Sequence, residues 1–237
     1  MKNKNYIIIG ASGGIGTQLV ADLIDDNHKL LLGYHNERPS VQSSNIILAP
    51  VEAQSFDSVD NLIKLGKNEF DNIDGIVNLP GSIILKPPHL ISEEEFNKTI
   101  DVNLKSAFAT IRAAGRFLSD ISVVLISTAV TGLGLKNHEM IVAAKAGIES
   151  MVRSASVSYA RSAIRFNAVA PGLIDTKLSE KIINNPISLK VSKKMHIRGR
   201  IGKTKDISNM IQFLLNPEND WITGQTFIVD GGLSSTK

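Results

Sequence analysis

"YIIIGASGGIG", Tyr6 to Gly16, decides how the rest of the chain is read. Four apolar residues without alternation fit a strand buried on both faces. The glycines at 10, 14 and 16 then let the backbone turn tightly into a helix running from about Ile15 to Asp26. A helix start reached through glycines exposes N–H groups and a positive dipole end, which favour an anion such as a pyrophosphate. A glycine cluster alone could be a plain tight turn. Its strand-to-helix setting points instead to a dinucleotide site.

Outward from this stretch, short apolar runs alternate with helical patterns. "KLLLGY" (29–34), "NIILAP" (45–50), "GIVNLP" (75–80), "SVVLIST" (122–128), "IRFNAVAPG" (164–172) and "TFIVDGG" (226–232) read as strands. At "SEEEF", Ser92 and Glu95 have capping-box spacing. A helix over about 138–161 carries an apolar stripe of Ile141, Ala144, Ile148, Val152 and Ala155. Strands alternating with helices predict an α/β fold, a doubly wound parallel sheet of Rossmann type. No repeat or linker divides the chain, so one domain over residues 1–237 is expected. Ligands of such sheets bind at the carboxyl ends of the strands.

Composition narrows the function. The 237 residues include 26 basic and 23 acidic ones, a formal net charge of +3 that gives no case for nucleic acid. There is no cysteine, which removes disulfides, thiolate nucleophiles and cysteine metal sites, and no metal site is expected. No apolar run has the length of a signal-peptide core or a membrane span, so a cytoplasmic protein without membrane contact is expected.

Several motifs together resemble the short-chain dehydrogenase/reductase family over nearly the whole chain. They are "GASGGIG", "IVNLPG" around Asn78, "DVNLKSAF" around Asn103, "LISTAV", Lys145 in its helix, "RFNAVAPGLIDT", "GRIGKTKDISNMIQFLL" and "WITGQTFIVDGGLS". The resemblance implies a nicotinamide cofactor and a small-molecule substrate. Gly10, Ser12, Gly14, Ile15 and Gly16 would line the pyrophosphate; Asn78 would end the strand beside it. Pro171, Gly172, Ile174 and Thr176 would hold the nicotinamide amide. NAD-using relatives commonly carry an aspartate at the end of the second strand. Here that place is taken by Tyr34, His35 and Asn36, with Arg38 nearby, so NADP is expected over NAD. Pro50 stands where an adenine-contacting aspartate is frequent, leaving that contact to Val51 and backbone. The basic run "KVSKKMHIRGR" (190–200) falls in the expected substrate loop, about 173–203, and reads as a solvated face or a binder of an acidic substrate. Homotetramers are usual in the family; Phe108, Ile111, Met151 and Val152 are candidate interface residues, of which some must face the protomer's own core.

The resemblance also exposes a departure. Family members donate a proton from a tyrosine four residues before the lysine, with a serine thirteen residues before that tyrosine. Lys145 and Asn103 match the lysine, which the resemblance implies holds the cofactor's ribose even without a tyrosine, and a supporting asparagine; Thr128 keeps a hydroxyl at the serine position. Ile141 stands at the tyrosine position and can neither give nor take a proton. Three readings stay open: His138 or a water held by Lys145 substitutes; the chemistry needs no tyrosine; or the chain is a non-catalytic NADP(H)-binding sensor or assembly partner. The catalytic candidates are Asn103, Thr128, Lys145 and His138.

Overall fold

The computed structural model describes residues 3–235. Its elements run in the order β1 (Asn5–Ile9), α1 (Gly14–Asp25), β2 (Lys29–Tyr34), β3 (Ile46–Pro50), α2 (Phe56–Glu69), β4 (Gly75–Asn78), α3 (Glu93–Thr99), α4 (Ser106–Phe117), β5 (Ser122–Ile126), α5 (Glu139–Ser158), β6 (Arg165–Pro171), α6 (Glu180–Ile183), α7 (Pro186–Met195), α8 (Thr204–Leu215) and β7 (Thr226–Val229). The strands form one seven-stranded sheet in the order β3-β2-β1-β4-β5-β6-β7. Every pairing is parallel.

The lack of alternation in β1 now has its cause. Ile7 and Ile9 point into one core with Leu62, Ile63, Val152 and Phe166, under α2, α4 and α5. Tyr6 and Ile8 point into the other with Leu19, Leu23, Ile207 and Ile211, under α1 and α8. Both faces are covered, so each position along the strand is rewarded for being apolar. The Ser92–Glu95 capping box forms as its spacing predicts and starts α3. On the outer face of the first core, Arg112 and Arg116 of α4 reach Asp60 of α2 at 2.8 and 2.7 Å. They neutralise a carboxylate that is only 4% exposed.

The helix over 138–161 ends at Ser158, and a 3-10 turn, Ala160–Ser162, carries the chain to β6. The segment 173–203, the expected substrate loop, contains α6 and α7. Of the four interface candidates, Ile111 and Val152 belong to the protomer's own core, and Met151 packs against it. Only Phe108 is strongly exposed.

Candidate active site

Strand order reverses between β1 and β4, and the crevice opens beyond their carboxyl ends. Gly10 stands at this point with φ +83°, and a Cβ there would lie 3.1 Å from Pro80 N. Both its conformation and its space therefore demand glycine. Ser12, Gly13 and Gly14 are not buried, and Gly13 caps α1 without any side-chain hydrogen bond. The first-turn N–H groups of α1 thus lie at the crevice with no side chain to satisfy them. Opposite, Thr176 comes so close that a Cβ on Gly14 would meet its Cγ2 at 2.8 Å. The glycine turn and the segment after β6 therefore form two walls of one cleft.

The adenosine side is less simple than the sequence implies. His35 and Asn36 are exposed beyond β2, but His35 Nε2 already lies 2.7 Å from Glu52. Glu37 accepts from Lys177 at 2.6 Å, an ion pair joining this end to the segment leading into α6. Val51 is buried and belongs to the core, its side chain beside Gly33. Asn78 is also buried: its Nδ2 donates to Thr110 Oγ1 at 2.9 Å and to Ser106 O at 3.3 Å. Its amide ties β4 to α4.

Where the cleft deepens it becomes a cavity of about 500 Å³. Ile15, Asn103, Thr128, His138, Ile141, Lys145, Pro171, Gly172, Ile174 and Thr176 all line it, from distant parts of the sequence. Asn103 is held in a π-helical stretch, Ile100–Lys105, between α3 and α4. Such widened turns recur at functional sites. Its Nδ2 donates to Thr99 O at 2.9 Å and Ser82 Oγ at 3.0 Å, while its Oδ1 accepts from Ser82 N at 3.3 Å. Ser82 thereby fixes the loop after β4 to this amide. Thr128 follows β5, and Oγ1 donates weakly to Pro171 O at 3.4 Å. The turn around it is braced by Glu149, which accepts from Ser127 Oγ at 2.6 Å and Thr131 Oγ1 at 2.9 Å.

Lys145 is 7% exposed, and its ammonium donates to Ile126 O at 2.8 Å. Burial pushes its pKa down to about 8. Among the described residues no carboxylate lies within ion-pair distance of it. Ile141 is 6% exposed one helical turn earlier, on the same wall. His138 stands at the start of α5 with Nδ1 2.8 Å from Lys136 O. The remaining wall is aliphatic, with Ile83, Leu85, Val130, Leu135 and Leu178 prominent.

One site residue escaped the sequence reading. His196, inside the basic run, is 3% exposed and lines the cavity. Its Nε2 accepts from Leu173 N at 3.2 Å and its Nδ1 lies 2.6 Å from Ser192 O. These bonds fasten the end of α7 to the exit of β6. Nothing in the sequence separates it from the lysines and arginines around it.

A family model described as enoyl-(acyl carrier protein) reductase matches residues 10–234. The chain belongs to the short-chain dehydrogenase/reductase family. By class it is an NAD(P)-dependent oxidoreductase. It is 28% identical to 3-oxoacyl-[acyl-carrier-protein] reductase FabG of Staphylococcus aureus, covering 97% of this chain and 98% of that one. It is 24% identical to the hydroxynaphthalene reductase-like protein Arp2 of Metarhizium brunneum, over 98% and 95% of the two chains. Among solved structures, ElxO with NADP bound superposes with TM-score 0.90 at 27% identity, over 99% and 100% of the chains. A tyrosine-to-phenylalanine variant of ElxO, with NADPH bound, matches equally well. Among the described residues no helix is long and apolar enough to cross a membrane, and no group of three or more His, Asp or Glu could hold a metal.

Proposed function

We propose that the chain is an NADP(H)-dependent oxidoreductase acting on a small carbonyl, enone or alcohol compound, with Ile141 in place of the family's tyrosine. The observation that carries this reading is the convergence of Lys145, Asn103 and Thr128 on one aliphatic cavity continuous with the glycine turn. A purely structural lysine has no reason to stay charged in such a wall.

The residues present suit a dinucleotide. The uncapped start of α1 offers N–H donors to a pyrophosphate, and Thr176 faces it across the cleft. The absence of an acid at Tyr34, His35 and Asn36 favours NADP, as does the NADP bound to ElxO. When bound, the nicotinamide supplies or accepts hydride. The chain's own part is to orient and to polarise: Thr128 and Lys145 line the cavity, the hydroxyl to meet a substrate oxygen and the lysine to hold the cofactor's ribose. Asn103 holds the loop that closes that space, and the aliphatic wall excludes water.

NADPH absorbance followed across a panel of aldehydes, ketones and enones tests the reading; a protein that binds NADPH and turns over none of them defeats it. The second reading, a non-catalytic NADP(H)-binding sensor or assembly partner, is favoured by Ile141 and would then stand. Calorimetry is expected to give tighter binding of NADPH than of NADH, with His35→Asp shifting the balance toward NADH. A homotetramer is part of the same proposal, supported by the exposure of Phe108, Val157 and Trp221. A monomer mass in light scattering at micromolar concentration rejects it.

A further inference from the structure

The reductase reading fixes a reacting group but not the body that carries it, and a substrate class for this cavity rests on that reading. In it the dinucleotide takes the end lined by Ile15, Lys145, Pro171, Gly172, Ile174 and Thr176. Beyond that end the wall is built by three separate segments. Ile83 and Leu85 follow β4, Leu135 and Ile141 lie before and within α5, and Leu178 and Ile182 lead into and through α6. The first and last of these face each other closely, since a Cβ on Gly81 would lie 3.9 Å from Leu178 Cδ2.

The wall offers little to a polar body. Among the described residues no aspartate or glutamate lines the cavity, so an ammonium there would find no counter-charge. The polar groups at depth already have partners. Asn103 is bonded to Ser82 and Thr99, Ser179 Oγ donates to Ile174 O, and both ring nitrogens of His196 are engaged with Leu173 and Ser192. A buried substrate hydroxyl would therefore give up its water for aliphatic neighbours. The basic run is turned elsewhere. Ser188, Ser192 and Met195 share one face of α7 and line the cavity. Lys190, Lys193 and Lys194 occupy the rest of that helix, are exposed, and do not line it. Arg200 is held by Asp206 at 2.6 Å. Outside the cofactor's lysine, the one lysine or arginine on the lining is Lys136, which is exposed. An acidic substrate thus has no buried partner in this half of the cavity.

We propose that the substrate is a neutral aliphatic ketone or enone, or the matching alcohol, whose unbranched tail lies between the segment after β4 and the segment entering α6. Ile83 and Leu178 both line the cavity and are exposed, so the apolar wall continues to the surface and the tail leaves between them. Sugars, amines and short keto acids are excluded by the same wall. Each methylene laid against it strengthens binding until the chain emerges into water.

The test uses the full chain, with and without saturating NADPH, and a series of 2-alkanols, which resemble a reduced product and leave NADPH unchanged. Calorimetry is expected to show the dissociation constant falling about fourfold per methylene from 2-butanol to 2-octanol. At fixed length, 2,5-hexanediol, 5-amino-2-hexanol and 5-hydroxyhexanoate should each bind at least tenfold more weakly than 2-hexanol. Ile83→Ser with Leu178→Ser should cut the octanol-to-butanol affinity ratio about tenfold; should the double variant fail to fold, Leu178→Ser alone should lower the same ratio. A flat alkanol series, a hydroxylated or charged probe that matches 2-hexanol, or an unchanged ratio in the folded variant overturns the proposal. Turnover is scored separately with 2-octanone. A steep alkanol series in a protein that reduces no ketone keeps the aliphatic site and defeats the reductase reading, whereas reduction of 2-octanone with a flat series does the reverse.

Discussion

Asp60 and Lys145 are both charged and almost equally buried, and the protein treats them in opposite ways. Asp60 is clamped between Arg112 and Arg116, and Arg112 also lies 5.0 Å above the ring of Phe56. Lys145 has one backbone carbonyl and no counter-ion among the described residues. A buried charge costs several kcal/mol unless it is paired. Asp60 meets that requirement and serves to pin α2 to α4. Lys145 does not, and the unmet cost appears as a proton held loosely beside a cavity. Charges left uncompensated at a cleft mark sites of chemistry more often than charges that are neutralised.

The largest expected effect breaks the paired side. Removing both arginines, R112A/R116A, strands the Asp60 carboxylate and should cost about 3–5 kcal/mol in denaturant unfolding. A loss below about 1 kcal/mol would show that Asp60 reaches water, and the contrast would collapse. The next concerns the unpaired side and has the opposite sign. Lys145 has a folded pKa near 8 against 10.5 when unfolded, so between those values the unfolded chain binds more protons and stability rises with pH. Relative to Lys145→Met, the wild type should gain up to ~3 kcal/mol across that window. Parallel unfolding curves for the two proteins at pH 7.5 and 10.5 would deny the penalty. The smallest effect sharpens the paired side: Phe56→Leu removes the ring beneath Arg112 and should cost ~0.5–1 kcal/mol, while a double-mutant cycle with Arg112 isolates that share.

The sequence was legible where a residue's role depends on near neighbours. Each predicted strand is found within a few residues of its expected bounds, because apolar runs between turn residues report burial on both faces. The Ser92–Glu95 box forms because both partners lie within one turn. The illegible features depend on partners far away. Asn78 and Val51 look like cleft residues from their strand ends, yet Thr110 and the core claim their side chains. His35 is matched to Glu52 and Lys177 to Glu37, the second pair 140 residues apart. The π-helical stretch that aims Asn103 has no compositional mark in "IDVNLK", and the burial of His196 is hidden by its charged neighbours. Lys145 shows both sides at once. Its position is plain from the motif, but the missing counter-ion becomes visible only when every surrounding element is in place.

The strand order carries a consequence for how the molecule is made. β1 lies inside the sheet, β2 and β3 extend it on one side, and β4 to β7 extend it on the other. Each strand in turn joins an edge that already exists, and none is inserted between two earlier ones. A chain emerging from the ribosome, amino end first, can therefore build this sheet outward as it is synthesised. Parallel pairings across long crossovers are slow to form, yet no completed pairing ever has to be undone. β7 is the outermost strand on that side, and Ile228 on it is 55% accessible.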